Sequence, residues 1–291
     1  MMITAQLVKE LRDKTGVGMM DCKRALVENN GDMEAAITWL REKGIAKAAK
    51  KADRIAAEGT CAFAIAENNA VVYELNCETD FAAKNSNFLA VSEEIGKALV
   101  NSKAKDTDEA LEVVYKGQKV ADMVVNATAV IGEKISLRRV ATFEKTNAQV
   151  FGAYSHMHGK IVSFAILDGA NEEVAKDVCM HVAAMNPKYL SRADVNPEEI
   201  EKEKAILTQE ALNEGKPANI VEKMVLGRVQ KYLKDICLVD QPFVKDPDKT
   251  VDQYVKANNG KIVQYLRLEV GEGIEKKGCD FAAEVMAAVN S

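Results

Sequence analysis

The segment ELNCETDFAAK at residues 74–84 concentrates the side chains best suited to act on another molecule. Its alternation ends near Cys77, so it reads as a strand running into a helix. Thr79 or Asp80 can cap that helix by accepting a hydrogen bond from a free backbone N–H. Phe81 falls in the first turn. Its ring has two uses open to it. It staples the turn to the core, or it stands out as an apolar wedge for a partner's pocket. Spacing alone leaves both open. The tetrapeptide Asp-Phe-Ala-Ala returns at 280–283, again at the start of a helical pattern, which fits a capping role.

Covalent chemistry finds little support elsewhere. The chain has three histidines, His156, His158 and His181. Cys179 lies close to His181, but the spacing matches no zinc pattern. No GxSxG elbow, GxxxxGK[ST] phosphate loop or HExxH pair occurs. GEGIEKKG at 271–278 is glycine-bearing, but its acids would repel phosphate. The remaining carboxylates are scattered among basic neighbours and read as solvated faces. The expectation is no catalytic residue, no metal and no cofactor; a metal-dependent enzyme built on the histidines is the rival.

Composition narrows the partners. Thirty-nine basic against 44 acidic residues give a net charge of −5 and a pI near 5.5, which argues against phosphate neutralisation as the main task. The run GIAKAAKKADRIAAEG at 44–59 reads as a solvated helix or linker, with RNA contact through 43–54 as the alternative. The longest uncharged run, 146–159, is short for a bilayer, and the N-terminus lacks the order of a signal peptide. Six dispersed cysteines form no CxxC pair. A cytoplasmic protein with reduced thiols, binding neither nucleic acid nor membrane, is expected.

The positioning elements suggest an α+β chain with antiparallel sheets and packed helices. Leu7, Val8 and Leu11 share one helical face. Met19, Met20, Ala25 and Leu26 begin a second helix, and Asn30-Gly31 can end it. Asp32 can cap a third, striped by Met33, Ala36, Ile37 and Leu40 and closed at Gly44. The period then changes. Extended runs at 61–66 and 70–77 meet at Asn68-Asn69 as a hairpin, followed by a helix carrying Phe88, Val91, Ile95 and Leu99. The pattern recurs at 150–157 and 160–167, with a helix through Ala175, Val178 and Val182, so the two halves read as repeats. Further strands are expected at 135–143 and 262–270. Asn196-Pro197-Glu198-Glu199 opens a helical hairpin that turns at Gly215-Lys216-Pro217.

Two long segments resemble signatures of the bacterial elongation factor Ts family: LRDKTGVGMMDCKRAL at 11–26 and ELNCETDFAAK at 74–84. Ile131-Gly132-Glu133, Arg138-Arg139-Val140, Gln241-Pro242-Phe243-Val244 and the closing DFAAEV also fit, in order along essentially the whole chain. The resemblance implies a ubiquitin-associated-like three-helix domain at 1–54 and core subdomains at 55–145 and at 146–186 with 236–270. It further implies a dimerisation-type helical hairpin at 187–235 and a C-terminal helical module at 271–291. The implied function is guanine-nucleotide exchange on elongation factor Tu by a non-enzymatic factor that disturbs the partner's Mg²⁺ site. The matching positions for that segment are Thr79, Asp80, Phe81 and Ala82, with Phe81 as the wedge and Ala82 standing where the family usually has Val. Further contacts implied are Met19, Met20, Lys23, Ile131, Gly132, His156 and Val244. For the two methionines a core role, and for His156 a structural one, stay open. A homodimer or a two-to-two complex is also implied, and an adaptor that binds without promoting exchange is the alternative.

Overall fold

A computed structural model describes residues 3–215 and 217–275. By internal contacts the described chain divides into two units: residues up to 66, 70–142 and from 269 on, and residues 67–69 with 143–268. The arrangement is α+β, with helices packed on antiparallel sheets.

The first unit opens with three helices: α1 (Ala5–Thr15), α2 (Met19–Glu28) and α3 (Met33–Ala49). Thr4 caps α1 and Asp32 caps α3, each accepting from an N–H three residues on. Val8, Leu11, Cys22, Ala25, Leu26, Ala36 and Leu40 form their common core. Gly44 does not close α3, as its residue type suggests; the helix runs five residues further. A Cβ at Gly44 would lie 3.1 Å from Cβ of Ala129, so the glycine serves close helix packing. Alanine and lysine beyond it favour helix and carry the element on.

Strands β1 (Glu58–Ala66) and β2 (Asn69–Cys77) form the first hairpin, turning at Glu67 and Asn68, one residue earlier than the sequence suggests. A short α4 (Asp80–Ala83) and a longer α5 (Ser86–Leu99) follow, then α6 (Thr107–Glu112) and the small ribbon β3 (Val114–Tyr115) and β4 (Gln118–Lys119). Next come α7 (Val120–Ile131) and β5 (Ser136–Glu144), which joins the sheet in the order β1-β2-β5. Val71, Tyr73, Leu75 and Cys77 on β2 pack with Phe88, Ile95 and Leu99 on α5. Glu74 and Asn76 on the other face are buried too. Glu74 accepts from Arg138 (2.9 Å), Arg139 (2.5 Å), Asn76 (2.9 Å) and the Gly271 N–H (2.8 Å). Burial opposes its ionisation, but the bonds from Gly271, Asn76 and Arg139 outweigh that and hold the carboxyl below its ordinary range. Arg139 also pairs with Glu272, so Gly271 and Glu272 are tied to this sheet.

The second unit repeats the plan. Strands β6 (Gln149–His156) and β7 (Ile161–Asp168) pair antiparallel from Gln149↔Asp168 to His156↔Ile161, and α8 (Glu172–Met185) packs on them. Helices α9 (Pro197–Asn213) and α10 (Ala218–Ile236) form the hairpin, with Asn196 capping α9. Val195, Ala211, Val221, Val225, Val229 and Leu233 make its seam. At its base Glu199 accepts from Lys188, Tyr189 and Tyr232, which hold its carboxyl down at about 2. Strands β8 (Pro242–Phe243) and β9 (Asp246–Thr250), α11 (Val251–Ala257) and β10 (Lys261–Glu269) complete the unit, in the sheet order β10-β7-β6. In both sheets the late third strand adds to the second strand of the hairpin. Cys279 and the Asp280–Ala283 motif lie outside the described residues, as do positions 276–291 of the expected C-terminal module.

Candidate functional site

Beyond Cys77 the chain leaves the sheet and turns into α4. Thr79 is the cap: its backbone is extended and its hydroxyl accepts from the Ala82 N–H at 3.2 Å. The Cys77 thiol donates to the Thr79 carbonyl at 3.1 Å. Asp80 begins the helix and pairs with Lys84 one turn later at 2.7 Å. Both partners of that pair are well exposed, so it adds little to stability.

Phe81 is the anomaly of this corner. Its residue is 82% exposed, the most of any large apolar residue described. Of the two uses that spacing left open, the staple does not hold, because the ring is left largely to solvent. Ala82, grouped with the partner-facing residues by sequence, packs inward at 6% exposure and joins the core beneath the sheet. The smaller side chain thus bears on the protein's own packing.

The corner is tied to the loop between α7 and β5. Glu133 Oε2 accepts from the N–H groups of Glu78 (3.1 Å) and Thr79 (2.9 Å), and Oε1 accepts from the Thr79 hydroxyl (2.7 Å). In return the Lys134 N–H donates to Glu78 Oε1 at 2.6 Å, and Arg54 pairs with the same carboxylate. Gly132 ends α7 with a left-handed φ of 86° and is exposed, while Ile131 is half-buried against the core. Spacing could not pair Glu133 with Thr79, since 54 residues separate them; only the Ile-Gly-Glu match hinted at the loop.

The other expected residues fall into two groups. Met19, Met20 and Lys23 all lie exposed on α2, the methionines at 52% and 71%. The core role is taken instead by Cys22, Ala25 and Leu26. In the second unit His156 is exposed at the end of β6, stacked on Tyr154 with the phenol 3.2 Å from Nδ1. Val244 is 41% exposed, and its N–H donates to Nδ1 of the buried His181 at 3.3 Å.

His181 has both ring nitrogens engaged. Accepting at Nδ1 makes Nε2 the donor to Gln241 at 2.9 Å, the neutral tautomer. Burial pushes its pKa down, only partly countered by Gln241. Cys179 is buried and its thiol is pushed well up, and burial with the Glu74 charge raises Cys61 to about 12. These are inert thiols. Among the described residues no group of three His, Cys, Asp or Glu side chains is placed to hold a metal ion. No helix among them is long and apolar enough to cross a membrane.

The corner is capped and hydrogen-bonded and leaves an aromatic ring largely in solvent, and α2 likewise leaves two methionines exposed. The profile of the family described as Elongation factor TS matches residues 78–272. The chain is 55% identical to Elongation factor Ts of Acholeplasma laidlawii (strain PG-8A), covering the whole of both chains. It is 54% identical to Elongation factor Ts of Pediococcus pentosaceus, over 97% of each. The chain belongs to the elongation factor Ts family of translation elongation factors.

Proposed function

We propose that this protein is the guanine-nucleotide exchange factor of elongation factor Tu. It binds the GDP-bound GTPase in the cytoplasm, disturbs the partner's Mg²⁺ site, and leaves when GTP enters. It makes and breaks no covalent bond. The coupling is reciprocal: whatever factor weakens GDP on the GTPase must weaken this protein on the GDP-bound form by the same factor.

The observation that carries this is the exposure of Phe81 on a corner fixed by backbone hydrogen bonds. Full burial of such a ring stabilises a contact by about 1.5–3 kcal/mol, free energy available to offset the strain imposed on the partner. Displacing the cation leaves the phosphate charges uncompensated and loosens the nucleotide. Asp80 orients the turn beside the ring. Met19, Met20, Lys23, Gly132, His156 and Val244 offer further contacts, the methionines as an adaptable surface. The helical hairpin, with Ile206, Leu212, Ile220 and Leu226 exposed, is the surface through which two copies would pair.

Stopped-flow release of labelled GDP from elongation factor Tu tests this. Wild type accelerates release over the spontaneous rate, and Phe81→Ala loses most of the acceleration. Release unchanged by wild type sinks the exchange activity. A Phe81→Ala protein as fast as wild type sinks the wedge while leaving exchange standing.

A further inference from the structure

A ring with 82% of its residue exposed has no packing of its own to aim it. Its direction comes from the backbone beneath, and that backbone has left the sheet. The N–H groups of Glu78 and Thr79 lie beyond the last residue of β2, so the strand ladder does not satisfy them. Both donate to one carboxylate oxygen of Glu133, and the Thr79 hydroxyl donates to the other. That hydroxyl oxygen in turn receives the Ala82 N–H, so Glu133 fixes the atom that caps α4. Bonds to an ionised acceptor are about twice as strong as neutral ones.

Glu133 is itself anchored. Its neighbour Lys134 returns the clasp through its N–H to Glu78, and its ammonium bonds the carbonyls of Ala52 (2.6 Å) and Arg54 (2.9 Å). Lys51 bonds the Gly132 carbonyl. Behind the loop stands α7, packed on α3 at Gly44–Ala129 and paired with it by Arg41–Asp122 at 2.6 Å. The corner, the loop and the three-helix module therefore form one continuous strut.

We infer that Glu133 is the positioning residue of the exchange reaction: it pre-orients the Phe81 corner through the Glu78 and Thr79 amides without itself touching the partner. This presupposes the exchange activity proposed above. Without the carboxylate, water replaces it at two amides, the corner samples other directions, and the fraction poised to insert falls.

The test uses the full chain carrying Glu133→Ala, Glu133→Gln, Phe81→Ala and the Glu133→Ala/Phe81→Ala double variant. In the release assay Glu133→Ala lowers the maximal rate by about tenfold, the scale of one charge-assisted hydrogen bond, and shifts the half-saturating concentration less. Glu133→Gln recovers most of that rate, because its carbonyl accepts both amides and its NH₂ meets the Thr79 hydroxyl oxygen. Glu133→Ala adds no further loss in the Phe81→Ala background. In the free protein, hydrogen exchange over 78–84 rises in Glu133→Ala and stays near wild type in Glu133→Gln. A wild-type maximal rate in Glu133→Ala, an equal further slowing in the Phe81→Ala background, or unchanged protection over 78–84 each overturns the positioning role. If wild type itself fails to accelerate release, the exchange activity falls instead, and the protection of 78–84 alone decides whether Glu133 holds the corner.

Discussion

The strand-to-helix corners after β2 and after β7 share a register from the helix cap onward, the second having one more residue between strand and cap. Thr79 and Asn171 are the caps, accepting from the N–H of Ala82 and Val174 at 3.2 and 2.9 Å. Asp80 and Glu172 open the helices, and Ala82 and Val174 are buried at the third helical position. The second position is exposed in both, yet it holds Phe81 in one and Glu173 in the other. A glutamate there is what physics favours: charged, solvated and near the positive end of the helix dipole. The restraints differ as well. Each corner is met by the loop leading into its third strand, but a carboxylate grips the first, whereas backbone closes on the second. A Cβ at Gly169 would stand 2.4 Å from the Asn259 carbonyl oxygen. The repeat therefore dictates where the second helical residue sits but not that it be aromatic, and the fold gains nothing visible from exposing Phe81.

The sharpest way to break that contrast is to write one corner's residue into the other. Phe81→Glu makes the first corner resemble the second. Stability changes by no more than about 0.5 kcal/mol, as for other exposed sites free of partners. GDP release from elongation factor Tu falls close to its spontaneous rate. Thermal unfolding beside stopped-flow release reads both; a variant that unfolds early, or one that still exchanges, removes the distinction between the corners.

The next effect falls on the second corner. Gly169 has a φ of 69°, which L residues with a branched Cβ adopt poorly, and it has no room for a Cβ. Gly169→Val costs about 3 kcal/mol, seen as a lower denaturation midpoint and faster hydrogen exchange in β6, β7 and α8. A midpoint within error of wild type would mean that backbone closure does not hold this corner.

How much of this was legible beforehand depends on whether a feature is local. The caps at Asp32 and Asn196 are read from residue type and the few positions that follow, and both stand; at the corner the sequence left Thr79 or Asp80, and Thr79 is the cap. The two hairpins emerge because alternation and turn residues are short-range signals. α7 went unread, although VADMVVNATAVI places Val120, Val124 and Ala127 at helical spacing and the structure buries all three. Gly44 misled because glycine's punctuating role is the common one, and the packing reason lies 85 positions away at Ala129. Within the candidate site, Phe81's place in the first helical turn was visible. Its exposure was not, since a staple and a wedge use the same residue at the same spacing. Glu133 and Glu74 act on partners far along the chain, a link that only the fold supplies.

The smallest expected effect separates the halves by pH, through one buried titrating group in each. In the second, His181 is neutral between Gln241, the Val244 N–H and the Phe243 ring, while Asp177 one turn earlier is satisfied by Lys245 and Tyr254. Burial puts its folded pKa below the ordinary 6.5, so the unfolded chain takes up the proton first. The stabilisation is whole above about pH 6.5 and is lost as pH falls from there toward the folded value. In the first half, Glu74 is held below its ordinary 4.5. Its contribution is whole above about 4.5 and fades only as pH drops through that lower folded pKa. Acidification below about pH 6.5 should therefore loosen β6, β7 and α8 before β1, β2 and β5 lose protection. Hydrogen exchange across a pH series, corrected for the intrinsic rate, resolves the order. Simultaneous loss in both sheets, or loss in the first sheet before the second, would show that His181 and Glu74 are not the groups that set the two halves apart.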